Sequence, residues 1–299
     1  MVDLIFGVSH PEHWHYLNIK QNPSHYSFLA KAGAQSVAAL QEKFGAGMYF
    51  NPDVTVDGLR IKYGVISMKH LIQDLTEWNN FYVAGRLQKP IKILRGDSRV
   101  KLSNDQNLLN ALRVALLLLP AKFTEKQLYT AIVGLSYLGD FRMTFGENPK
   151  KIENIVNAQM IHLRGLYRPF LDKVGSLEAI PEALKAGTEV DAEIVLEQSW
   201  DIKTRGSLLL ELPKNVRDKV VISWQKENGS GVIGVPSNIL ESMELCQKVA
   251  TSPKIDQYVK KAIGDIVRIP ALTQSIKGLL TAGPSKSFKY VGEKLSKRK

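Results

Sequence analysis

The first third of the chain alternates short apolar runs with turn signals, a pattern typical of a mixed α/β region. Residues 2–8 are a dense run of β-forming side chains and predict an opening strand. Residues 48–50 and 59–67 predict two further strands, and the Asp57-Gly58 pair between them favours a hairpin turn. Residues 91–94 predict a short fourth strand.

Two segments of the same region carry the spacing of helices that bury one face, 27–44 and 70–82. The glycine-rich turn at 45–47 is expected to end the first helix. The polar stretch 10–26 is rich in histidine and asparagine, and its first part predicts a loop or turn.

From about residue 104 onward the pattern becomes helical. Thr124, three residues before Gln127, predicts a capping box at the start of one helix. Residues 175–234 are mixed and rich in turns, and they point to no function. The helical segments are 107–119, 124–138, 151–171 and 240–267.

These patterns divide the chain into an α/β domain over 1–100 and a mainly helical domain over 101–270, with a mixed insertion at about 175–234. The boundary is expected near 98–105. Residues 271–299 are expected to form a separate basic tail.

The tail has the pattern of a basic amphipathic helix, because its apolar residues are spaced by three and four. Such a helix suits an anionic membrane surface, and the alternative is a solvated helix packed on its own domain. The residues expected at the membrane are Phe288, Lys289, Val291, Lys294, Leu295, Lys297 and Arg298.

Composition limits the class of protein. The 299 residues are 44% hydrophobic and 23% charged, which excludes a wholly disordered or a collagen-like chain. The net charge of +11 favours an anionic partner, either nucleic acid, a nucleoside triphosphate or a phospholipid surface. A single cysteine, Cys246, excludes an intramolecular disulfide framework and a multi-cysteine zinc site. The longest apolar stretch, 108–119, is too short to span a membrane.

Asp3 lies inside the opening apolar run, where a carboxylate is costly to bury without a cation. It is therefore a candidate ligand for Mg²⁺, and the alternative is an outward-facing residue on an edge strand. His10, His13 and His15 match no standard zinc spacing. Pro11 is expected to break any helix that would align them, so ordinary loop histidines are expected.

Three cations, Arg86, Lys89 and Lys92, lie close together after a predicted helix. An arginine binds phosphate through two parallel hydrogen bonds and a lysine acts as a point charge, so the cluster predicts a phosphate site. The alternative is that these cations only complement the end of a helix.

Lys62 and Asp140 are two further candidates for chemistry. Lys62 interrupts an apolar strand and either faces the same cleft or alternates into solvent. Asp140 follows a predicted helix and is either a second catalytic acid or a partner of Arg142.

Several stretches together resemble one family, the mitochondrial translocator assembly and maintenance proteins, which are mitochondrial phosphatidate cytidylyltransferases; the resemblance is to the fungal type. It runs from Asp3 to about Tyr167 and resumes near Leu208 and Pro270. The stretches that carry it are 22–27 (NPSHYS), 45–51 (GAGMYFN), 61–67 (IKYGVIS), 78–79 (WN), 84–90 (AGRLQKP), 135–142 (LSYLGDFR), 274–278 (QSIKG) and 281–283 (TAG).

The resemblance implies a nucleotidyltransferase domain followed by a helical, winged-helix-like domain. The implied activity joins CTP to phosphatidic acid and gives CDP-diacylglycerol and pyrophosphate, which feeds cardiolipin synthesis. The implied location is the matrix face of the mitochondrial inner membrane, as a peripheral protein.

The resemblance also implies roles for individual residues. Asp3 would hold Mg²⁺ on the triphosphate, with Asp140 assisting. Arg86, Lys89 and Lys62 would neutralise phosphate charge during catalysis. Two further phosphate-binding candidates, Lys92 and Lys277, complete the set, and Lys277 is also expected to add charge near the lipid.

The relatives carry a Gly-Ser-Gly motif upstream of the strand equivalent to 2–8, and this sequence lacks it. We therefore expect a truncated chain that also lacks a targeting presequence. One alternative function is a non-catalytic assembly factor at the inner membrane that supports protein import. Another is a nucleic-acid enzyme. No nucleic-acid partner is expected, because the basic residues are not interleaved with stacking aromatics.

Overall fold

The protein forms two compact units in a computed structural model that describes residues 2–145, 148–181, 183–184, 194–229 and 233–282. The first unit comprises the described residues of Met1–Asp74, Asp140–Asn148 and Arg268–Lys299. The second takes those of Leu75–Gly139 and Pro149–Val267. Both units are mixed α/β, and most of the chain is helical.

The first unit is built on a three-stranded mixed sheet. Its strands are β1 (Val2–Val8), β2 (Met48–Val56) and β3 (Leu59–Ser67), in the order β1-β3-β2. β1 is parallel to β3, and β2 is antiparallel to it. The accompanying helices are α1 (Pro11–Gln21), α2 (Ala34–Lys43) and the 3₁₀ helices Pro23–His25 and Phe28–Ala32. Trp14 of α1 and Leu4 of β1 pack against a buried cluster of sheet residues, Val8, Val54, Ile61, Tyr63 and Val65.

The predicted strands 2–8 and 59–67 are confirmed, and the hairpin turn between β2 and β3 is confirmed as well. Asp57 and Gly58 have φ of 47° and 75°, the left-handed backbone that such a turn requires. β2 is longer than predicted, because a bulge between Asn51 and Val54 lets pairing continue past the predicted end. The predicted strand 91–94 is wrong, since that segment is irregular and exposed.

The loop predicted at the start of 10–26 is wrong, because α1 occupies Pro11–Gln21. Pro11 is the first helical residue, where its missing N–H would have had no intrahelical partner. The helix buries only His15 fully, so the apolar spacing that reveals most helices is weak here. The helix predicted over 27–44 is divided at Gly33, whose φ of 88° separates a 3₁₀ turn from α2.

The second unit is mainly helical around a three-stranded antiparallel sheet of order β4-β6-β5. α3 (Met68–Glu77) leads into it from the first unit. The elements that follow are α4 (Ala84–Leu87), α5 (Ser98–Leu118), β4 (Lys122–Thr124), α6 (Glu125–Leu135), α7 (Arg142–Phe145, in the first unit), α8 (Lys151–Leu171), β5 (Leu177–Ala179), β6 (Val195–Gln198), α9 (Ile202–Leu210), α10 (Lys214–Glu227), α11 (Ile239–Ala250) and α12 (Ile255–Ala282).

The helix 151–171 and the capping box at Thr124 are confirmed. Thr124 Oγ1 accepts from the Gln127 N–H at 3.2 Å, and Gln127 Oε1 accepts from the Thr124 N–H at 2.8 Å. The segment 240–267 is helical as predicted, but it is divided: α11 ends at Ala250 and α12 begins at Ile255. The expected boundary at 98–105 falls on the first turns of α5, a helix that Asp97 caps. The division into three domains stays a prediction.

Within the described ranges, no helix combines the length and apolar character needed to cross a bilayer.

The last turns of α12 hold the glycine-rich turn between α2 and β2. Gln274 Oε1 accepts from the Ala46 N–H at 3.1 Å, and Gln274 Nε2 donates to the Met48 carbonyl at 3.2 Å. Gly45 has a φ of 72°, and a Cβ there would lie 2.8 Å from Gln274 Oε1. Glycine is therefore required both by the backbone and by the approach of Gln274.

We expect Gln274→Ala to lower the free energy of unfolding by about 1–3 kcal/mol, because it removes the side-chain partner of a buried N–H and of a buried carbonyl. Chemical denaturation measures the change. Gln257→Ala is the matched control, since Gln257 is exposed on the same helix. Equal effects of the two variants would contradict the expectation.

Candidate functional site

The structure places Asp3 and Lys62 directly opposite each other on the neighbouring strands β1 and β3. Paired residues of parallel strands carry their side chains on the same face, so both groups lie on one side of the sheet. Asp3 is exposed on an edge strand, which matches the alternative interpretation of its sequence position. An exposed carboxylate is also accessible to a cation carried by a nucleotide.

Phe50 lies on the same face and supports Lys62. The Lys62 ammonium lies 4.5 Å from the centre of the Phe50 ring, a cation–π contact. Gly64, opposite Phe50 on β3, leaves room for this ring, because a Cβ there would lie 2.7 Å from it. The absence of a side chain at Gly64 thus positions Phe50, which in turn positions the Lys62 charge.

The second unit contains a cluster of cations around α4. The Arg86 guanidinium lies 3.9 Å from the centre of the Tyr82 ring and donates to the Tyr82 carbonyl at 2.6 Å. Lys89 Nζ donates to the Gly85 carbonyl at 2.6 Å and to Ser136 Oγ at 2.8 Å. A Cβ on Gly85 would meet Ser136 at 2.5 Å, so glycine permits the approach that brings this hydroxyl to Lys89.

Lys151 of α8 adds a third positive charge to this cluster. Its ammonium and that of Lys89 each lie 5.3 Å from the centre of the Tyr137 ring. Burial, together with the neighbouring charges of Arg86 and Lys151, lowers the pKa of Lys89 to about 7. An anion bound among these cations would offset the repulsion that Lys89 experiences from Arg86 and Lys151. Lys92 is exposed in the irregular segment that follows.

The pKa of Lys89 sets an expected pH dependence. The phosphate-binding role that the resemblance implies for Lys89 requires its protonated form, and this form is lost as pH rises through about 7. We expect kcat/KM for CTP to fall above that pH, approaching tenfold per pH unit at the limit. Lys89→Arg keeps the charge at all these pH values, so its profile is expected to be flatter.

Steady-state assays of the wild type and Lys89→Arg with the same substrates test this expectation. Any effect of substrate ionisation cancels in the ratio of their kcat/KM values. Parallel profiles of the wild type and Lys89→Arg would contradict the role of Lys89.

Asp140 is engaged by a neighbouring arginine. Its Oδ1 accepts from Arg142 Nε at 2.9 Å, and its Oδ2 accepts from Arg142 Nη2 at 2.6 Å. The Arg142 backbone N–H also donates to Oδ1, at 3.0 Å. Asp140 itself is buried. The pairing that the sequence offered as one alternative for Asp140 is therefore present, and its role as a second catalytic acid stays a prediction.

Lys277 is 1% exposed on α12. Its ammonium donates to the carbonyls of Gln41 and Phe44, at 3.0 and 2.6 Å, at the carboxyl end of α2. Burial lowers its pKa to about 7. In this structure its charge complements the end of a helix, and its predicted role in binding phosphate remains a prediction.

A network of polar side chains behind the sheet was not anticipated from the sequence. His15 bonds to Tyr26 Oη through Nδ1 and to Gln41 Oε1 through Nε2, both at 2.9 Å. Asn18 Nδ2 donates to the hydroxyls of Tyr26 and Tyr63, each at 2.9 Å. Burial lowers the pKa of His15 and raises those of the two tyrosines.

His25 joins the same network, since its Nδ1 lies 2.9 Å from Tyr63 Oη. The concentration of histidine, asparagine and tyrosine over 15–26 was the available signal. It was missed because the stretch was interpreted as a loop.

The expectation of loop histidines is wrong for His13 and His15, which both lie on α1. His10 precedes α1, His13 is exposed, and His15 is buried. Among the residues that the structure describes, no group of three or more His, Cys, Asp or Glu side chains forms a metal cluster. The predicted membrane-binding tail, 286–299, lies outside the described residues.

An exposed strand carboxylate beside a lysine can engage a cation and its phosphates, and the cations around α4 can bind an anion such as phosphate. The chain belongs to the family of mitochondrial phosphatidate cytidylyltransferases, because the model of that family matches residues 1–297. The family resemblance drawn from the sequence is confirmed. The name of the enzyme implies CTP and phosphatidic acid as substrates, and the class is nucleotidyltransferase.

The relatives agree with this assignment, and each is a mitochondrial phosphatidate cytidylyltransferase. The protein from Schizosaccharomyces pombe is 43% identical over 306 residues, which cover 99% of this chain and 74% of the relative. The proteins from Xenopus laevis and Mus musculus are 40% and 39% identical over 299 residues, which cover 99% of this chain and 83% of each relative.

Proposed function

We propose that this chain transfers the cytidylyl group of CTP to the phosphate of phosphatidic acid and acts at the matrix face of the mitochondrial inner membrane. The product, CDP-diacylglycerol, feeds cardiolipin synthesis. The observation that carries the proposal is the match to the family over residues 1–297, nearly the whole chain.

The reaction requires little acid–base chemistry. A phosphate oxygen of the lipid attacks the α-phosphorus of CTP, and the bond from that phosphorus to the bridging oxygen breaks to release pyrophosphate. The nucleophile is already an anion, so no strong base is needed. Catalysis therefore depends on in-line positioning and on neutralising the charge that develops on the phosphates.

Asp3 fits a magnesium ion that arrives with the nucleotide. Mg²⁺ in nucleotide sites takes one or two carboxylates and completes its shell with phosphate oxygens and water. Asp3 supplies one exposed carboxylate, which satisfies this requirement without a dedicated cluster of protein ligands. When bound there, the ion would neutralise triphosphate charge and hold it in register.

The cations have separate tasks in this proposal. Lys62, held over Phe50, binds a phosphate on the same side of the sheet as Asp3. Arg86 and Lys89 stabilise negative charge that develops on phosphate during transfer. Lys92 adds a further cation beside them, and Asp140 orients Arg142 through its forked ion pair.

The order of strands and helices in each unit supports the assignment of that unit to a known type of domain. We propose that the mixed sheet and its two helices form the nucleotidyltransferase domain. The second unit contains the order helix, strand, helix, helix, strand, strand, over α5, β4, α6, α8, β5 and β6, with β6 central in the sheet. This order supports a winged-helix-like domain.

Radiolabelled CTP tests the proposal. The protein is incubated with Mg²⁺ and phosphatidic acid vesicles, and CDP-diacylglycerol and pyrophosphate are counted. Phosphatidylcholine vesicles serve as the control. The assay is run on this chain and on a version extended upstream with the Gly-Ser-Gly segment of the resemblance. Equal amounts of the two products are expected from at least one version, and no lipid-linked cytidylyl product from either would overturn the proposal.

A further inference from the structure

Large aliphatic side chains are exposed immediately after the cation cluster of the second unit. Ile91, Ile93 and Leu94 are 52%, 61% and 72% exposed. Leu102, on the second turn of α5, is 74% exposed. The first three belong to an irregular segment, residues 91–95, which we call the 91–95 loop.

The apolar pattern of this loop is that of a buried strand, yet the structure pairs it with neither sheet. A single exposed leucine is ordinary, but several large aliphatic residues together on the surface indicate an interaction site. The occupant of that site must bury aliphatic side chains in a strongly basic surrounding.

The surroundings of the loop carry a large excess of positive charge. Residues 86–101 contain six Lys and Arg side chains and one acid, Asp97. Asp97 is already paired with Arg99, at 2.8 Å between Oδ2 and Nη2. Lys92 and Arg95 flank the aliphatic side chains and are exposed.

Exposed aliphatic side chains in basic surroundings favour one kind of binding partner. Two copies of the chain meeting through this surface would bring like charges together, which opposes association. Nucleic acid would use the cations but not the aliphatic side chains. An anionic phospholipid bilayer uses both, because aliphatic residues enter the boundary between headgroups and acyl chains while Lys and Arg contact lipid phosphates.

We propose that the 91–95 loop docks the enzyme on an anionic phospholipid surface by inserting Ile91, Ile93 and Leu94. The surface is distinct from the predicted tail. Lys89 precedes Ile91 by two residues, so their Cα atoms lie within about 7 Å of each other. Docking therefore brings the cation cluster to the depth of the lipid phosphates; this last step rests on the proposed function, whereas the docking itself does not.

Vesicle binding by the full chain is the first test, without CTP. The triple variant Ile91→Ser/Ile93→Ser/Leu94→Ser is expected to bind vesicles of phosphatidylcholine and phosphatidic acid about tenfold more weakly than wild type. Ile239→Ser/Leu240→Ser is the matched control, since both residues are 72% exposed in the same unit. It is expected to bind like wild type. Unchanged binding by the triple variant would overturn the proposal.

A fluorescent label gives a second readout that does not depend on the contribution of any other segment. Cys246, the single cysteine, is buried and its pKa is raised to about 11, so a thiol introduced at the surface reacts selectively. An environment-sensitive dye on Ile93→Cys is expected to shift to the blue on addition of phosphatidic acid vesicles. The same dye on Ile239→Cys is expected to stay unchanged.

The outcomes separate docking from catalysis. A blue shift at position 93 without turnover would leave the docking intact and count against the proposed function. Turnover without a blue shift at position 93 would overturn the docking alone. A blue shift that appears with protein concentration and without vesicles would also overturn it, because the loop would then join copies of the chain.

Discussion

Asp3→Asn is expected to lower kcat/KM for CTP by about 10²–10³ in a version of the enzyme that is active. The asparagine keeps the shape of the side chain but removes the negative charge that a nucleotide-bound cation requires. Asp3 is exposed on an edge strand, so the change is expected to leave the free energy of unfolding within about 0.5 kcal/mol of the wild type. Turnover and chemical denaturation measure the two effects.

Asp57→Asn provides the matched control, because Asp57 is an exposed aspartate of the same unit. Its left-handed backbone, with φ of 47°, suits asparagine equally well. The control is expected to retain wild-type turnover. Full activity of Asp3→Asn would remove Asp3 from the catalytic machinery and leave it as an ordinary edge-strand residue.

Glu125→Ala is expected to destabilise the protein by about 3–5 kcal/mol, because it removes the carboxylate that faces the buried charge of Arg164. The two side chains are 2% and 4% exposed, which keeps water from replacing the lost carboxylate. Arg164 Nε and Nη2 donate to the two Glu125 oxygens at 2.9 and 2.6 Å. The pair joins the start of α6 to α8, and denaturant unfolding measures its loss.

The double variant Glu125→Leu/Arg164→Met distinguishes two causes of instability. One is the loss of the ion pair, and the other is the cost of burying the Arg164 charge without the Glu125 carboxylate. Replacing both partners with apolar residues removes the buried charges together, so it is expected to recover most of the stability lost in Glu125→Ala. A double variant as unstable as Glu125→Ala would show that the ion pair itself governs stability here, rather than the buried arginine charge that remains in Glu125→Ala.

The regular elements with strong local signals were predictable. The strand 2–8 and the helix 151–171 have their predicted bounds, because period and propensity agree in both. The strand 91–94 failed for the opposite reason: its apolar pattern is strong, but neither of the two sheets in the described part of the chain pairs with it. β-forming residues become a strand only when another strand supplies hydrogen bonds, and the sequence does not show where that partner lies.

The candidate site was predictable as a set of residue types but not as an arrangement. Arg86 and Lys89 stand three residues apart, and the resemblance assigned them to phosphate. The contributions of Ser136 and Lys151, 47 and 62 positions beyond Lys89, depend on packing that no local pattern reports. The lowered pKa of Lys89 is likewise a property of burial and of charges brought in from elsewhere in the chain.

The sequence by itself determined the family, the hairpin at Asp57-Gly58 and the excess of positive charge, because each depends only on short motifs or on composition. Only the tertiary structure decided what the charged groups do. It placed Asp3 on an exposed edge, paired Asp140 with Arg142, and buried Lys277 against backbone carbonyls. The physical reason is that the state of a charge depends on its solvent exposure and on its neighbours, and both are set by contacts between residues far apart in the chain.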